Sequence, residues 1–161
     1  ARGVPNVQAF PGWVYGDGSW FRDYVLRPLW ARKRYLTLGG PSRVVSPIHV
    51  DDSARALLFL LDRGSVGARY FLVDDRPVSA LTLAKCAADA LGVPLKTRRV
   101  PTVAVRIQAG PVVTESLTCD ANLSNARLRA LGFNFEYPTI DAGIPPVVAA
   151  WRASRIDQTI D

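Results

Sequence analysis

The sequence contains no methionine, a single histidine and only two cysteines among its 161 residues. One imidazole rules out a metal site built from several histidines. Cys86 and Cys119 lie far apart, with no Cys-x-x-Cys, which excludes a disulfide scaffold and a zinc knuckle. The longest uninterrupted apolar run, Ala56 to Leu61, is far shorter than a bilayer span. No charged-then-apolar segment opens the chain, so secretion has no support. With no methionine and Ala1 in first place, the sequence reads as a piece of a longer one.

Three catalytic patterns are also missing. Gly12, Gly16 and Gly18 are wrongly spaced for a dinucleotide loop, and Gly39-Gly40 leads into Pro41 rather than a helix. No tyrosine is followed four residues later by a lysine, the pair that lowers a phenol's pKa for proton transfer. No Gly-x-Ser-x-Gly elbow supplies a hydrolase nucleophile.

Hydrophobic residues make up 48% and charged residues 21%, enough apolar material for one compact domain. The formal charge is +6. Basic residues concentrate in two stretches, Arg22 to Arg43 and Lys96 to Arg106. Such an excess favours anionic ligands, although a solvated surface explains it equally simply. No zinc finger, zipper or aromatic RNA-binding pattern accompanies it, so nucleic acid is not the expected partner.

The periodicities predict mixed α/β structure. Short strands are expected at Val7 to Phe10, Tyr35 to Leu38, Val44 to Val50, Tyr70 to Val73 and Thr97 to Val100. Gly12 to Trp20 reads as a loop, and Gly39-Gly40-Pro41 as a turn. Residues 21 to 35 suit a helix broken near Pro28. A helix opens at Asp51-Asp52, with Ala54, Leu57, Leu58 and Leu61 spaced as a buried face and Arg55 and Asp62 outward. Ser79 caps the next helix and Gly92 stops it. Further helices are expected at Thr102 to Gln108, from Asn122 or Ser124 to Leu131, and around Ile144 to Trp151, with Pro145 and Pro146 in the first turn.

The chemistry-bearing residues are few. Asp51-Asp52 and Asp74-Asp75 have ordinary explanations in capping and turn formation. His49 fits a hydrogen-bonded structural residue or a ligand contact. Cys86 sits on an apolar helix face and reads as core; Cys119 lies among polar residues.

Four segments, in order, resemble the extended short-chain dehydrogenase/reductases of the NAD-dependent epimerase/dehydratase branch. Phe10-Pro11-Gly12-Trp13-Val14-Tyr15-Gly16-Asp17-Gly18 is similar to that family's R-P-G-x-V-Y-G-x-G, with Phe10 in place of the arginine. Pro47-Ile48-His49-Val50-Asp51-Asp52-Ser53-Ala54-Arg55-Ala56 is similar to F-I-H-V-D-D-V-A-R-A. Tyr70-Phe71-Leu72-Val73-Asp74-Asp75-Arg76-Pro77-Val78-Ser79 is similar to Y-N-V-G-D-D-x-P-V-S. A weaker likeness covers Ser124 to Phe133, followed by Tyr137-Pro138.

The resemblance implies an α/β fold: the last strands of a Rossmann-type sheet plus a small mixed α/β substrate-binding subdomain. The glycine-rich loop and the tyrosine–lysine pair would lie upstream, so the whole of 1–161 is expected to be the C-terminal part of such a domain. It implies NAD or NADP as cofactor in the full-length parent, with Pro11, Gly12 and Val14 lining the nicotinamide pocket. Tyr15, Trp20 and His49 are implied beside the substrate. Related nucleotide-sugar epimerases place a diphosphate-gripping arginine where this chain has Val45; Arg43 is the nearest substitute. The implied partners are a small-molecule substrate, the N-terminal cofactor-binding half and a second copy in a homodimer, in the cytoplasm and with no membrane span.

Three readings follow: the substrate-binding part of an NAD(P)-dependent oxidoreductase or epimerase, inactive alone; a non-catalytic nucleotide- or RNA-binding relative; and an autonomous interaction domain. In the first, Trp13, Tyr15, Trp20 and Phe21 are expected to form an exposed aromatic patch facing the missing half.

Overall fold

A computed structural model describes residues 4–18, 20–38 and 43–157. The strands are short and pair two by two among the described residues. β1 (Gln8–Pro11) runs parallel to β6 (Arg69–Leu72), and β2 (Trp13–Tyr15) parallel to β5 (Pro47–His49). β3 (Tyr35–Leu38) runs parallel to β8 (Thr97–Val100), and β4 (Val44–Val45) antiparallel to β7 (Val78–Ser79). Gly12 joins β1 to β2, so one extended segment changes partner at that residue. Its N–H bonds Leu72 O at 3.0 Å, and the next N–H, from Trp13, bonds Ser46 O at 2.8 Å. The expected loop from Gly12 to Trp20 therefore begins as a strand, because Trp13 to Tyr15 find a ladder on β5.

A π-helical turn (Arg22–Leu26) runs into α1 (Arg27–Trp30). Arg27 N–H bonds Arg22 O, five residues back, just ahead of Pro28, which has no N–H to donate. Phe21, Val25 and Leu29 turn inward, while Tyr24 is exposed. The remaining helices are α2 (Val50–Arg63), α3 (Ala80–Leu91), α4 (Thr102–Thr118), α5 (Ala126–Ala130) and α6 (Ile140–Asp157). α3 is bounded as its sequence implies: Ser79 Oγ accepts from Thr82 N at 2.9 Å, and Gly92 closes the helix at φ 66°. α4 is longer than expected because the chain re-enters the helix after a break at Gly110, ahead of Pro111. Pro145 and Pro146 sit inside α6, which already begins at Ile140, rather than in its first turn. The Gly39-Gly40-Pro41 turn lies outside the described residues.

α2 departs most from its periodicity. Ala54 is exposed, and Leu57, Leu58 and Leu61 are 45%, 67% and 82% exposed, while Asp52, Ser53, Ala56 and Leu60 face the interior. The Asp52 carboxylate explains the rotation. Fully buried, it accepts from Glu136 N at 3.0 Å and Tyr137 N at 2.7 Å, and pairs with Arg55. Satisfying that charge outweighs turning three leucines inward. Arg55 and Asp62 face solvent, as expected.

Two apolar clusters hold the elements together. One gathers Tyr15, Phe21, Leu26 and Leu29 against α3 and Ile140, Ile144 and Trp151 of α6. The other packs Ala56 and Leu60 of α2 on Ile48, Tyr70, Leu72 and Leu128. The aromatic segment thus belongs to this chain's own core: Tyr15 and Phe21 are fully buried, and Trp13 and Trp20 pack against the cluster. On the neighbouring β1–β6 pair, Phe10 and its register partner Phe71 are 42% and 40% exposed.

Candidate functional site

The seven residues singled out from the sequence fall in one neighbourhood, along β1–β2 and the strands beside it. Val14 is the register partner of Ile48, and Tyr15 of His49. Trp20 folds back so that its indole Nε1 donates to Val14 O at 2.7 Å. Trp13 and Trp20 meet edge to face at 4.9 Å. The guanidinium of Arg43 lies over the Trp13 ring, 4.5 Å from its centroid.

Arg43 is the most informative of these side chains. It is 7% exposed, and its Nε and Nη1 are buried with no hydrogen-bond partner among the described residues. Burial pulls its pKa down, and the charges of Tyr35, Cys119 and Asp120 offset this in part. Asp120 is engaged with backbone, accepting from Val44 N at 2.7 Å. A buried guanidinium with free N–H groups is costly to fold around. The arrangement suits an anion arriving from outside the described residues, gripped by a planar fork backed by an indole.

Tyr15 and its register partner His49 are buried on the same face of β2 and β5 as Trp13, opposite Val14 and Ile48. Tyr15 approaches α6 so closely that a Cβ on Gly143 would lie 2.1 Å from the hydroxyl. That hydroxyl reaches Asp74 Oδ2 at 3.5 Å, and burial raises the phenol's pKa, with the charges of Asp74 and Asp52 adding to the effect. Burial likewise pushes Asp74 up to about 8, reinforced by the charge of Asp52. His49 caps α2: its Nδ1 accepts from Asp51 N at 3.2 Å while its ring lies 4.0 Å from that of Tyr137. The helix cap is thus an imidazole, where the sequence pointed to the Asp51-Asp52 pair. Burial holds the imidazole's pKa below its ordinary value. The involvement of Asp74, 59 residues from Tyr15, has no local sequence signal.

Pro11, Gly12 and Val14 offer a nicotinamide only limited contacts. The Gly12 N–H is taken by Leu72 O, and the Val14 carbonyl by Trp20. What remains is the exposed Pro11 ring, backbone carbonyls and the Val14 side chain. The sequence holds no glycine-rich loop to cradle a dinucleotide's phosphates. No group of three or more metal-ligating side chains occurs among the described residues. A cavity of about 600 Å³ lies between α3 and α6, lined by Lys85, Cys86, Asp89, Asp141 and Arg152, and none of the seven residues lines it.

No family model matches the chain. It is similar to an epimerase family protein of Staphylococcus aureus, 29% identical over 112 residues, which are 70% of this chain and 37% of that protein. Among solved structures it superposes on a human epimerase family protein solved with NADPH, at a TM-score of 0.80 and 20% identity, covering 91% of this chain and 49% of that one. It also superposes on the UDP-glucose 4-epimerase of Thermus thermophilus solved with NAD, at 0.72 and 17%, covering 94% and 48%. The chain therefore has the mixed α/β fold of these epimerase structures over about half their length.

Proposed function

We propose that the chain is the C-terminal, substrate-binding part of an NAD(P)-dependent epimerase or oxidoreductase of the extended short-chain dehydrogenase/reductase family. The observation that carries this reading is Arg43, a buried cation whose Nε and Nη1 have no hydrogen-bond partner among the described residues, set on Trp13 in the segment that resembles the family's R-P-G-x-V-Y-G motif. The similarity to epimerase family proteins supports it. In the full-length parent the nicotinamide would exchange a hydride with a carbinol carbon, and a tyrosine outside this chain would move the proton.

This chain's own residues orient the substrate. Arg43 holds an anionic group such as a diphosphate, and Trp20 closes the side toward Val14. Pro11, Gly12 and Val14 meet the nicotinamide edge. Tyr15 and His49 support that wall from behind. The chain alone lacks the proton-transfer pair and the phosphate cradle, so it should turn over no substrate.

The test compares NAD(P)-dependent turnover by the 161-residue chain with that of its full-length parent. None is expected from the chain. Arg43→Gln in the parent is expected to raise KM for an anionic substrate by about 10- to 100-fold with little change in thermal stability. Turnover by the chain alone, or an unchanged KM in the variant, refutes the assignment.

A further inference from the structure

The fold brings together two basic stretches that lie about sixty residues apart in sequence. No acidic residue occurs between Asp23 and Asp51, nor between Asp89 and Glu115. Nine of the 20 Lys and Arg residues fall in these two intervals, so the rest of the chain carries more carboxylates than cations. Parallel pairing of β3 with β8 sets Lys33 and Arg34, just ahead of one strand, close to Lys96, just ahead of the other, and to Arg98 and Arg99 on it. The bond from Tyr35 N to Lys96 O, 2.7 Å, fixes that register. α4 follows β8 after Pro101 alone and adds Arg106. All six cations are exposed, and none enters an ion pair among the described residues.

The same three elements expose aliphatic side chains. Leu36, the register partner of Arg98, is 55% exposed, and Val103, Ile107 and Val112 of α4 are 66%, 84% and 78% exposed. Of the side chains described on α4, Thr114 alone is buried. A helix with this exposure gains almost nothing from the core beneath it.

We propose that the β3–β8–α4 surface docks on an anionic lipid bilayer. Cations unpaired among the described residues are drawn to a negatively charged leaflet, against the single carboxylate of the three elements, Glu115 on α4, and the exposed aliphatic side chains of the same elements enter the headgroup boundary. Nucleic acid satisfies only half of this surface. Phosphates would meet the arginines but leave the aliphatics in water, and Tyr35, half-buried, is the only aromatic ring in the three elements, so no stacking platform exists for single-stranded bases. No helix among the described residues is long and apolar enough to cross a membrane, so the contact is peripheral. This inference stands apart from the catalytic reading, and neither test depends on the other.

The experiment is co-sedimentation of the 161-residue chain with phosphatidylcholine vesicles, with and without phosphatidylserine, across a salt series. Binding is expected only with phosphatidylserine and should fade as salt rises, since screening shortens from about 10 Å at 0.1 M to about 3 Å at 1 M. The triple variant Arg98→Gln, Arg99→Gln, Arg106→Gln should lower the partition coefficient by about 100-fold. Ile107→Ser should lower it at every salt concentration, with far-UV circular dichroism used to check that each variant is folded. Equal binding to neutral and anionic vesicles, no binding to either, or salt-dependent capture of an RNA oligonucleotide without vesicle binding each overturns the proposal. The salt and lipid dependence of the unaltered chain decides the matter even where a variant fails to fold.

Discussion

Gly12 has no room for a side chain. A Cβ there would lie 2.1 Å from Ser46 O and 2.7 Å from Val73 Cγ1, at the point where the segment passes from β6 to β5. The nearer atom is backbone, held by its own bond from Trp13, and cannot give way cheaply. Gly12→Ala is expected to cost about 3 kcal/mol, read as a lowered urea midpoint. Asp74 acts through pH. Burial raises its folded pKa to about 8, whereas an unfolded aspartate titrates near 4. The folded state therefore keeps a proton that the unfolded chain has lost, and stability from this group is full below about pH 4 and declines up to about pH 8. His49 has the opposite sign: burial lowers its pKa, so its contribution falls as pH drops through about 6.5. Asp74→Asn should remove the decline between about pH 5 and 8 and leave the acid-side loss in place. Chemical denaturation at a series of pH values reads this directly, and an unchanged slope refutes the assignment.

At the scale of elements, α2 separates what exposure decides from what periodicity suggests. Leu60→Ala removes a side chain that is 3% exposed and packed on Tyr70 and Leu72, and should cost about 2–4 kcal/mol. Leu58→Ser, at a position 67% exposed, should stay within about 0.5 kcal/mol. Thermal melts of the two variants rank them. The existence of α2 is legible in the sequence, as are the caps and stops of α3, because both are local: an apolar spacing, a serine, a glycine. Which face of α2 turns inward is not legible, because Asp52 decides it by bonding to backbone at 136 and 137, more than eighty residues away. The site divides the same way. Pro11 to Tyr15 and His49 stand out as motif, and Arg43 as the nearest arginine to an expected position. The burial of Arg43 Nε and Nη1 without a hydrogen-bond partner among the described residues, and the Tyr15–Asp74 contact, arise only once distant strands are assembled.

For the molecule as a whole, the open question is what covers β1. Parallel strands are ordinarily buried on both faces, and a two-stranded pair is marginal by itself. β1 has β6 on one edge and no strand on the other among the described residues, while Phe10 and Phe71 lie bare with ring centroids 5.8 Å apart. The isolated chain is expected to self-associate through this edge, and Phe71→Lys should return it toward monomer by adding a charge to the exposed face. Sedimentation velocity over a concentration series measures this; a monomer at every concentration refutes it. If the proposed N-terminal half adds a strand to β1, it should suppress the association as well.

The parallel pairings also govern how the chain must be made. Gln8 meets Arg69 and Tyr35 meets Thr97, each closing a loop of about sixty residues before any ladder bond forms. Such non-local closure places folding in the slow range of milliseconds to seconds. During synthesis at roughly 5–20 residues per second, β3 waits several seconds for β8 to emerge. Throughout that interval the strand carrying Leu36 and Leu38 is unpaired, with Lys33 and Arg34 immediately before it. Two adjacent cations at the head of an unpaired apolar strand keep nascent copies from pairing with one another, so the charge that marks this surface in the finished protein also guards it while it is unfinished.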